Sequence, residues 1–223
     1  MLQLKDISPL KTNTQSNMHY IHPLIVVDII GIFAFAVSGF LIGARHKLDI
    51  LGLIITSSLT ALGGGIIRDT LLLVKPFAFE TSYPAIALII VLVIAFSMKL
   101  YKYTNFEKKW IFIISDTIGL VAFSVSGALL AINAKYNFFG VIILSFITAV
   151  GGGVMRDVLI NQVPIVLKSD FYGSVAVIVA VLLLVLHAAG MLSSTTIVLT
   201  ALFGILLRLI AYKKQWRLPR LNR

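Results

Sequence analysis

The chain has 223 residues, 59% of them hydrophobic and only 13% charged, with a mean hydropathy of +1.00; soluble domains run at about 45–50% apolar and about 25% charged. That balance excludes a soluble globular protein and points to a chain that crosses a bilayer repeatedly. The lack of cysteine excludes disulfides, thiolate metal sites and a cysteine nucleophile, and the net charge of +10, gathered in short loops and the tail, argues against nucleic acid and for anionic lipid headgroups.

Residues 1–22 read as a polar arm, because MLQLKDISPLKTNTQSNMHY has neither the apolar run nor the small-residue cleavage site of a signal peptide. Seven apolar stretches follow, at 23–44, 50–74, 83–101, 110–131, 138–162, 170–190 and 194–211, each near the ~20 residues that a ~30 Å hydrocarbon layer requires. Asp49, Ser82, Asn137 and Asp170 stand where an N-cap would accept the first free amides, and Pro76 and Pro164 mark helix ends. Residues 212–223 form a basic tail. The predicted fold is an all-α integral membrane protein of seven transmembrane helices.

Seven spans place the termini on opposite sides. One side collects Arg45, Lys47, Lys99, Lys102, Lys108, Lys109, Lys168, Arg208, Lys213, Lys214, Arg217, Arg220 and Arg223, thirteen cations in all, and the other holds Lys5, Lys11, Lys75 and Lys135. The positive-inside rule makes the richer side cytoplasmic and the N-terminus external, in a multi-pass protein of the cell (inner) membrane.

An internal repeat organises the chain. At a constant offset of 88, Asp28 matches Asp116, Gly31 matches Gly119, Phe35 matches Phe123, Ser38-Gly39 matches Ser126-Gly127, and "TALGGGIIRDTLL" aligns with "TAVGGGVMRDVLI". The repeats cover 23–103 and 110–190, with the seventh helix outside them. Three spans per repeat mean that the second enters the membrane upside down, the inverted arrangement found in transporters and some channels.

Glycine costs about 0.5–1 kcal/mol relative to alanine in a helix, so Gly63, Gly64, Gly65 and Gly151, Gly152, Gly153 make the middle of the second and fifth spans their weakest point. A bend or break is expected there, with freed carbonyls facing protein or water; close helix packing is the alternative. Each triplet leads to an Arg-Asp pair. Adjacent helical residues point about 100° apart, so Arg68 and Arg156 are expected to find partners other than Asp69 and Asp157. At ~1.5 Å per residue Arg68 lies about 12 Å inside the helix end near Pro76, and Asp28 about 8 Å inside the end near Pro23. Two cross-helix clusters are therefore predicted, Asp28 with Arg68 and Asp116 with Arg156, leaving Asp69 and Asp157 to face a hydrated path. Intramembrane charges, at about 2.5–3.5 kcal/mol each, default to functional sites, with structural glue the rival reading. Ser38, Ser126, Thr60 and Thr148, with Ser57 and Ser145, offer hydroxyls near the same depth, although such groups often bind the carbonyl a turn back.

Nothing marks an enzyme: there is no HExxH, and no Ser-His-Asp set at membrane depth. His19, His22 and His46 fall in arms or loops and His187 near a helix end, so neither a structural metal nor a cofactor is expected. Trp110, Trp216, Tyr83, Tyr101, Tyr103 and Tyr212 cluster at helix ends as interfacial anchors.

The acidic residue and glycine early in the first helix, "AFAVSG" with "AFSVSG", and the doubled GGGIIRD and GGGVMRD together resemble the prokaryotic branch of the TRIC family, the trimeric intracellular cation channels, from about residue 23 to 211. The resemblance implies a homotrimer with a separate pore for monovalent cations, potassium and sodium, through each protomer. That pore is lined by helices one, two, four and five, kinked at the triplets, and the marked positions are the two glycine triplets, Arg68, Asp69, Arg156, Asp157, Asp28 and Asp116. A basic lipid-binding segment of the eukaryotic branch is not evident. The alternative expectation is a secondary transporter for a small solute such as an amino acid; a scaffold without transport is the third.

Overall fold

The computed structural model describes residues 14–102, 105–168 and 171–216, without the side chains of 14–23 and 105–109. The regular structure of the described residues is helical: α1 (Thr14–Arg45), α2 (Ile50–Leu71), α3 (Phe77–Glu80), α4 (Tyr83–Ser97), α5 (Asn105–Asn133), α6 (Phe138–Leu159), α7 (Ile165–Lys168), α8 (Tyr172–Ala188) and α9 (Ser194–Lys213), with one 3₁₀ turn at Leu100–Lys102. Segments of α1, α2, α5, α6 and α9 are long and apolar enough to cross a bilayer, while α4 and α8 are shorter apolar helices. The expected N-cap Asp170, with His19, His22, Tyr103, the first thirteen residues and the tail beyond Trp216, lies outside the described residues or side chains.

The helix starts follow from local chemistry. Asp49 accepts from the Gly52 amide and Asn137 from that of Gly140, both at 2.8 Å. Ser82 occupies the N-cap of α4 without a side-chain bond, and Ser193 with Thr196 closes a capping box on α9 that was not expected. Both α2 and α6 stop three residues earlier than predicted, because Leu73 and Asn161 turn to φ 56° and 53°. The amides of Val74 and Gln162 then bond back to the carbonyls of Asp69 and Asp157, the closing pattern of a Schellman motif. Two further boundaries depart from expectation: α1 begins at Thr14, inside the predicted polar arm, and runs through Pro23, and α5 begins at Asn105 rather than at 110.

Four helices form a closed ring in which α1 packs on α2, α2 on α6, α6 on α5 and α5 on α1, with little contact across either diagonal. Three further helices clad it, α4 against α1, α8 against α5 and α6, and α9 against α8 and α5. Repeated glycines sit on every edge of the ring. A Cβ on Gly39 would meet the Thr56 carbonyl of α2 at 2.5 Å, and one on Gly127 the Cα of Ser145 of α6 at 2.9 Å. On the α1–α5 edge a Cβ on Gly119 would collide with the Phe35 ring, which packs on Phe123 at a centroid distance of 5.4 Å.

The α2–α6 edge favours close packing over a break in the helix. Both helices run without interruption through their glycine triplets, so the freed carbonyls of a broken helix are absent. A side chain on Gly64 would occupy the Thr148 carbonyl oxygen, and one on Gly152 that of Thr60. Packing energy at this crossing outweighs the ~1 kcal/mol helix penalty of each glycine.

Arg208 was counted among the cytoplasmic cations, yet it is buried within α9. The basic balance becomes twelve against four, with the same sign.

Candidate functional site

Asp28 on α1 and Arg68 on α2 meet along one edge of the ring, Nη1 of Arg68 donating to Oδ1 of Asp28 at 2.8 Å and, across the ring, to the Ser126 hydroxyl on α5 at 2.6 Å. The guanidinium is 2% exposed. Its Nε donates to Oδ1 of Asp69 at 2.7 Å, and Oδ2 of Asp69 accepts from the Phe77 amide at 2.8 Å. The matching set forms around Arg156, fully buried: Nε donates to Oδ1 of Asp157 at 2.8 Å, and Oδ2 of Asp157 accepts from the Ile165 amide at 2.8 Å.

The arginines therefore pair with their own neighbours, against expectation. The reason is side-chain length: although the two Cα–Cβ bonds diverge, the arginine stem reaches round so that Nε meets the short carboxylate while the far end of the guanidinium crosses to another helix. Asp69 and Asp157 are consequently not spare charges in a wet passage. Each clamps an arginine with one oxygen and the first amide of the short helix α3 or α7 with the other, fixing the chain's return after Pro76 and Pro164. Neither short helix was anticipated.

The clusters differ where the halves meet the rest of the fold. Arg156 Nη1 stands 3.9 Å from Asp116 Oδ1, and Ser38 bridges the gap, accepting from Arg156 at 3.1 Å and donating to Asp116 at 3.1 Å. Tyr172 lies beside Asp116, and the Arg208 guanidinium lies 4.9 Å from the Tyr172 ring centroid. The position 88 residues before Tyr172 is Pro84, and a cavity of about 10 Å³, room for one water, opens there beside Asp28, Arg68, Asp69 and Phe77. Around Arg156, Asp157 and Tyr172 the corresponding volume is about 0 Å³. Tyr172 and Arg208 escaped the sequence reading; the signal for Arg208 was an arginine flanked by Leu206, Leu207, Leu209 and Ile210.

The expected hydroxyls divide. Ser38 and Ser126 join the clusters, whereas Thr60 and Thr148 are buried and donate to the Thr56 and Leu144 carbonyls of their own helices, both at 2.6 Å. Ser145 binds the Ser124 carbonyl at 2.8 Å. Among the described residues no three of His, Cys, Asp and Glu converge as for a metal ion.

A family model described as glycine transporter matches residues 25–99 and 113–188, the second segment starting 88 residues after the first. The UPF0126 membrane protein YvgT of Bacillus subtilis is 37% identical over 199 residues, covering 87% of this chain and 94% of its own. A solved TRIC cation channel superposes with a TM-score of 0.77 at 34% identity, over 89% of this chain and 97% of that one. The TRIC trimeric intracellular cation channel orthologue of Rhodobacter sphaeroides gives 0.77 at 27% identity, over 86% and 98%. With a paired Arg-Asp core inside a glycine-edged ring, and these relatives matched over nearly their full lengths, the chain belongs to the prokaryotic TRIC family of membrane proteins.

Proposed function

We propose that this protein is a passive channel for potassium and sodium, with the ion path through each protomer along the seam of α1, α2, α5 and α6. The observation that carries this reading is the charge ratio of the first cluster, which sets Asp28 and Asp69 against the single Arg68 guanidinium in a low-dielectric ring, whereas Asp116 and Asp157 of the second face Arg156 with Arg208 close by. A net anionic, hydrogen-bonded group at that depth favours a passing cation and repels anions. The solved relatives described as TRIC cation channels support the same reading.

The domain plan is that of two inverted three-helix repeats, 23–103 and 110–190, followed by a seventh helix, with the N-terminus external and the tail cytoplasmic in the cell (inner) membrane. The protomers associate as a homotrimer, as in the trimeric relative. In the packed ring the α2–α6 crossing closes the seam at Gly64 and Gly152, and conduction requires these two helices to part. Selection rests on the carboxylate clusters rather than on carbonyls freed by broken helices.

Single-channel recording of the purified protein in planar bilayers under a potassium gradient tests this. Unitary currents far above ~10³ charges per second, the upper end of ordinary turnover rates, with a reversal potential set by potassium, are the expected result. Saturable glycine uptake into vesicles without such currents would replace the channel with a transporter.

A further inference from the structure

The two halves are filled unequally at their far ends. In the first, Phe40, Leu41, Leu53, Ala95 and Leu100 form a buried cluster, with Ala44, Phe96 and Phe112 packed against it. The Phe40 and Phe96 rings meet edge to face at 5.1 Å. At the offset of 88 all three aromatic rings of this cluster and Leu100 have smaller counterparts, Ala128 for Phe40, Leu184 for Phe96, Leu24 for Phe112 and Ala188 for Leu100, while Leu41 keeps its size as Leu129.

At Leu24, Leu129 and Ile132, the counterparts of Phe112, Leu41 and Ala44, a cavity of about 230 Å³ opens, lined among the described residues also by Asn133, Lys135, His187 and Leu192. Its inner wall is aliphatic. Its rim lies at the ends of α5 and α8, where Lys135 is held at φ 57° by the helix-closing turn in which the Tyr136 amide bonds the Ala131 carbonyl. No aspartate or glutamate occurs in 117–156 or 171–216, so no carboxylate of these segments competes for Lys135.

Such a space, left empty, forfeits dispersion contacts on every wall, and a leucine-lined hollow is poor ground for water. At the end of a membrane span the available filler is lipid, and the rim selects its head. We propose that this cavity takes one acyl chain of an anionic phospholipid from the surrounding bilayer, with the lipid phosphate against Lys135 and His187. Because the chain already lies in hydrocarbon, its gain in the aliphatic wall is the dispersion contact an empty cavity forfeits, and a nearby lysine adds about 1 kcal/mol for an anionic head. The site does not depend on whether the protein conducts or carries.

Native mass spectrometry of the delipidated full-length protein, titrated with dioleoylphosphatidylglycerol or dioleoylphosphatidylcholine, tests the site. The wild type is expected to hold one phosphatidylglycerol about fivefold more tightly than phosphatidylcholine, the ratio for one cationic contact at about 1 kcal/mol. Lys135→Gln brings that ratio close to one, while Lys47→Gln, the matching position beside the filled cluster, leaves it unchanged. Ile132→Trp, which fills the cavity, removes the tightly held lipid of either kind, and Leu129→Phe does the same should the tryptophan variant fail to fold. Equal retention of both lipids by the wild type, an undiminished preference in a folded cavity-filled variant, or displacement of phosphatidylglycerol by equimolar oleate would overturn the proposal.

Discussion

Arg68 donates from Nε to the carboxylate of Asp69, the next residue in the chain, at 2.7 Å, and the same carboxylate holds the Phe77 amide eight residues on at 2.8 Å. Asp157 repeats both bonds with Arg156 and Ile165 at 2.8 Å. Because each carboxylate is buried and doubly engaged, Asp69→Asn and Asp157→Asn each lose a charge-assisted bond and leave an amide group facing the guanidinium. Each arginine keeps its other contacts, so the expected cost is about 2–3 kcal/mol per variant. The two should be nearly equal. Thermal unfolding of the purified variants reads this directly; a wild-type melting curve for either would mean that water already satisfies the carboxylate.

The glycine triplets make opposite predictions within a few residues. Gly64→Ala and Gly152→Ala drive a methyl into a facing main-chain carbonyl, which backbone cannot easily yield, so α2 and α6 must spread at a cost of about 1–3 kcal/mol. Gly65→Ala and Gly153→Ala meet nothing nearer than their own arginine's Nη2, at 3.9 and 3.7 Å. These should stabilise the helix by up to ~1 kcal/mol. If the third glycine also lets α2 and α6 part, Gly65→Ala raises the melting temperature while lowering open probability in bilayer recordings. A folded Gly65→Ala protein with unaltered gating assigns that residue no part in opening.

What was legible in the sequence was whatever two copies could reveal. The offset of 88 marked Asp28, Arg68, Asp116 and Arg156 before any coordinate, because a charge placed twice at one membrane depth has few explanations other than partnership. Hydropathy also placed a helix at each of the seven expected stretches, five of them long and apolar enough to cross a bilayer, although α1 starts nine residues early. The reach of an arginine stem was not legible, since helical angle alone separates Arg68 from Asp69. Nor was the meaning of Gly64: a triplet that weakens a helix and a triplet that lets a second helix touch it are the same letters, and only the Thr148 carbonyl opposite distinguishes them. Tyr172 and Arg208 were hidden for the reverse reason, having no partner at the offset and so no repeat to flag them.

The two cluster serines carry unequal duties. Ser126 accepts one bond from Arg68, whose Nη1 already reaches Asp28 at 2.8 Å. Ser38 is the bridge between Arg156 and Asp116, which are 3.9 Å apart. Ser38→Ala breaks a link at both ends and leaves a charged donor and a charged acceptor each short of a bond, at about 2–3 kcal/mol; Ser126→Ala removes one acceptor, at about 1–1.5 kcal/mol. Comparing the two melting temperatures checks the order. Equal losses would mean that Arg156 moves in to bind Asp116 once the hydroxyl is gone.

Arg208 gives the two halves different electrostatics. Its guanidinium lies over Tyr172, the neighbour of Asp116, so the second cluster has a cation beside it that the first, with Pro84 at the matching position, lacks. A fixed positive charge near the path opposes an approaching potassium ion, and at an effective dielectric of about 20 a separation on the order of 10 Å corresponds to about 1–2 kcal/mol. Arg208→Met keeps much of the stem's packing on α8 and removes that charge. Unitary potassium conductance should therefore rise several-fold, since each 1.36 kcal/mol is tenfold in rate, with the selectivity for cations over chloride unchanged or sharper. Tyr172→Phe deletes a neutral donor instead. It should lower stability by about 1–2 kcal/mol and alter conductance far less. A folded Arg208→Met channel with wild-type conductance would place the route of the ion away from Asp116, because no cation could pass that carboxylate without sensing the loss.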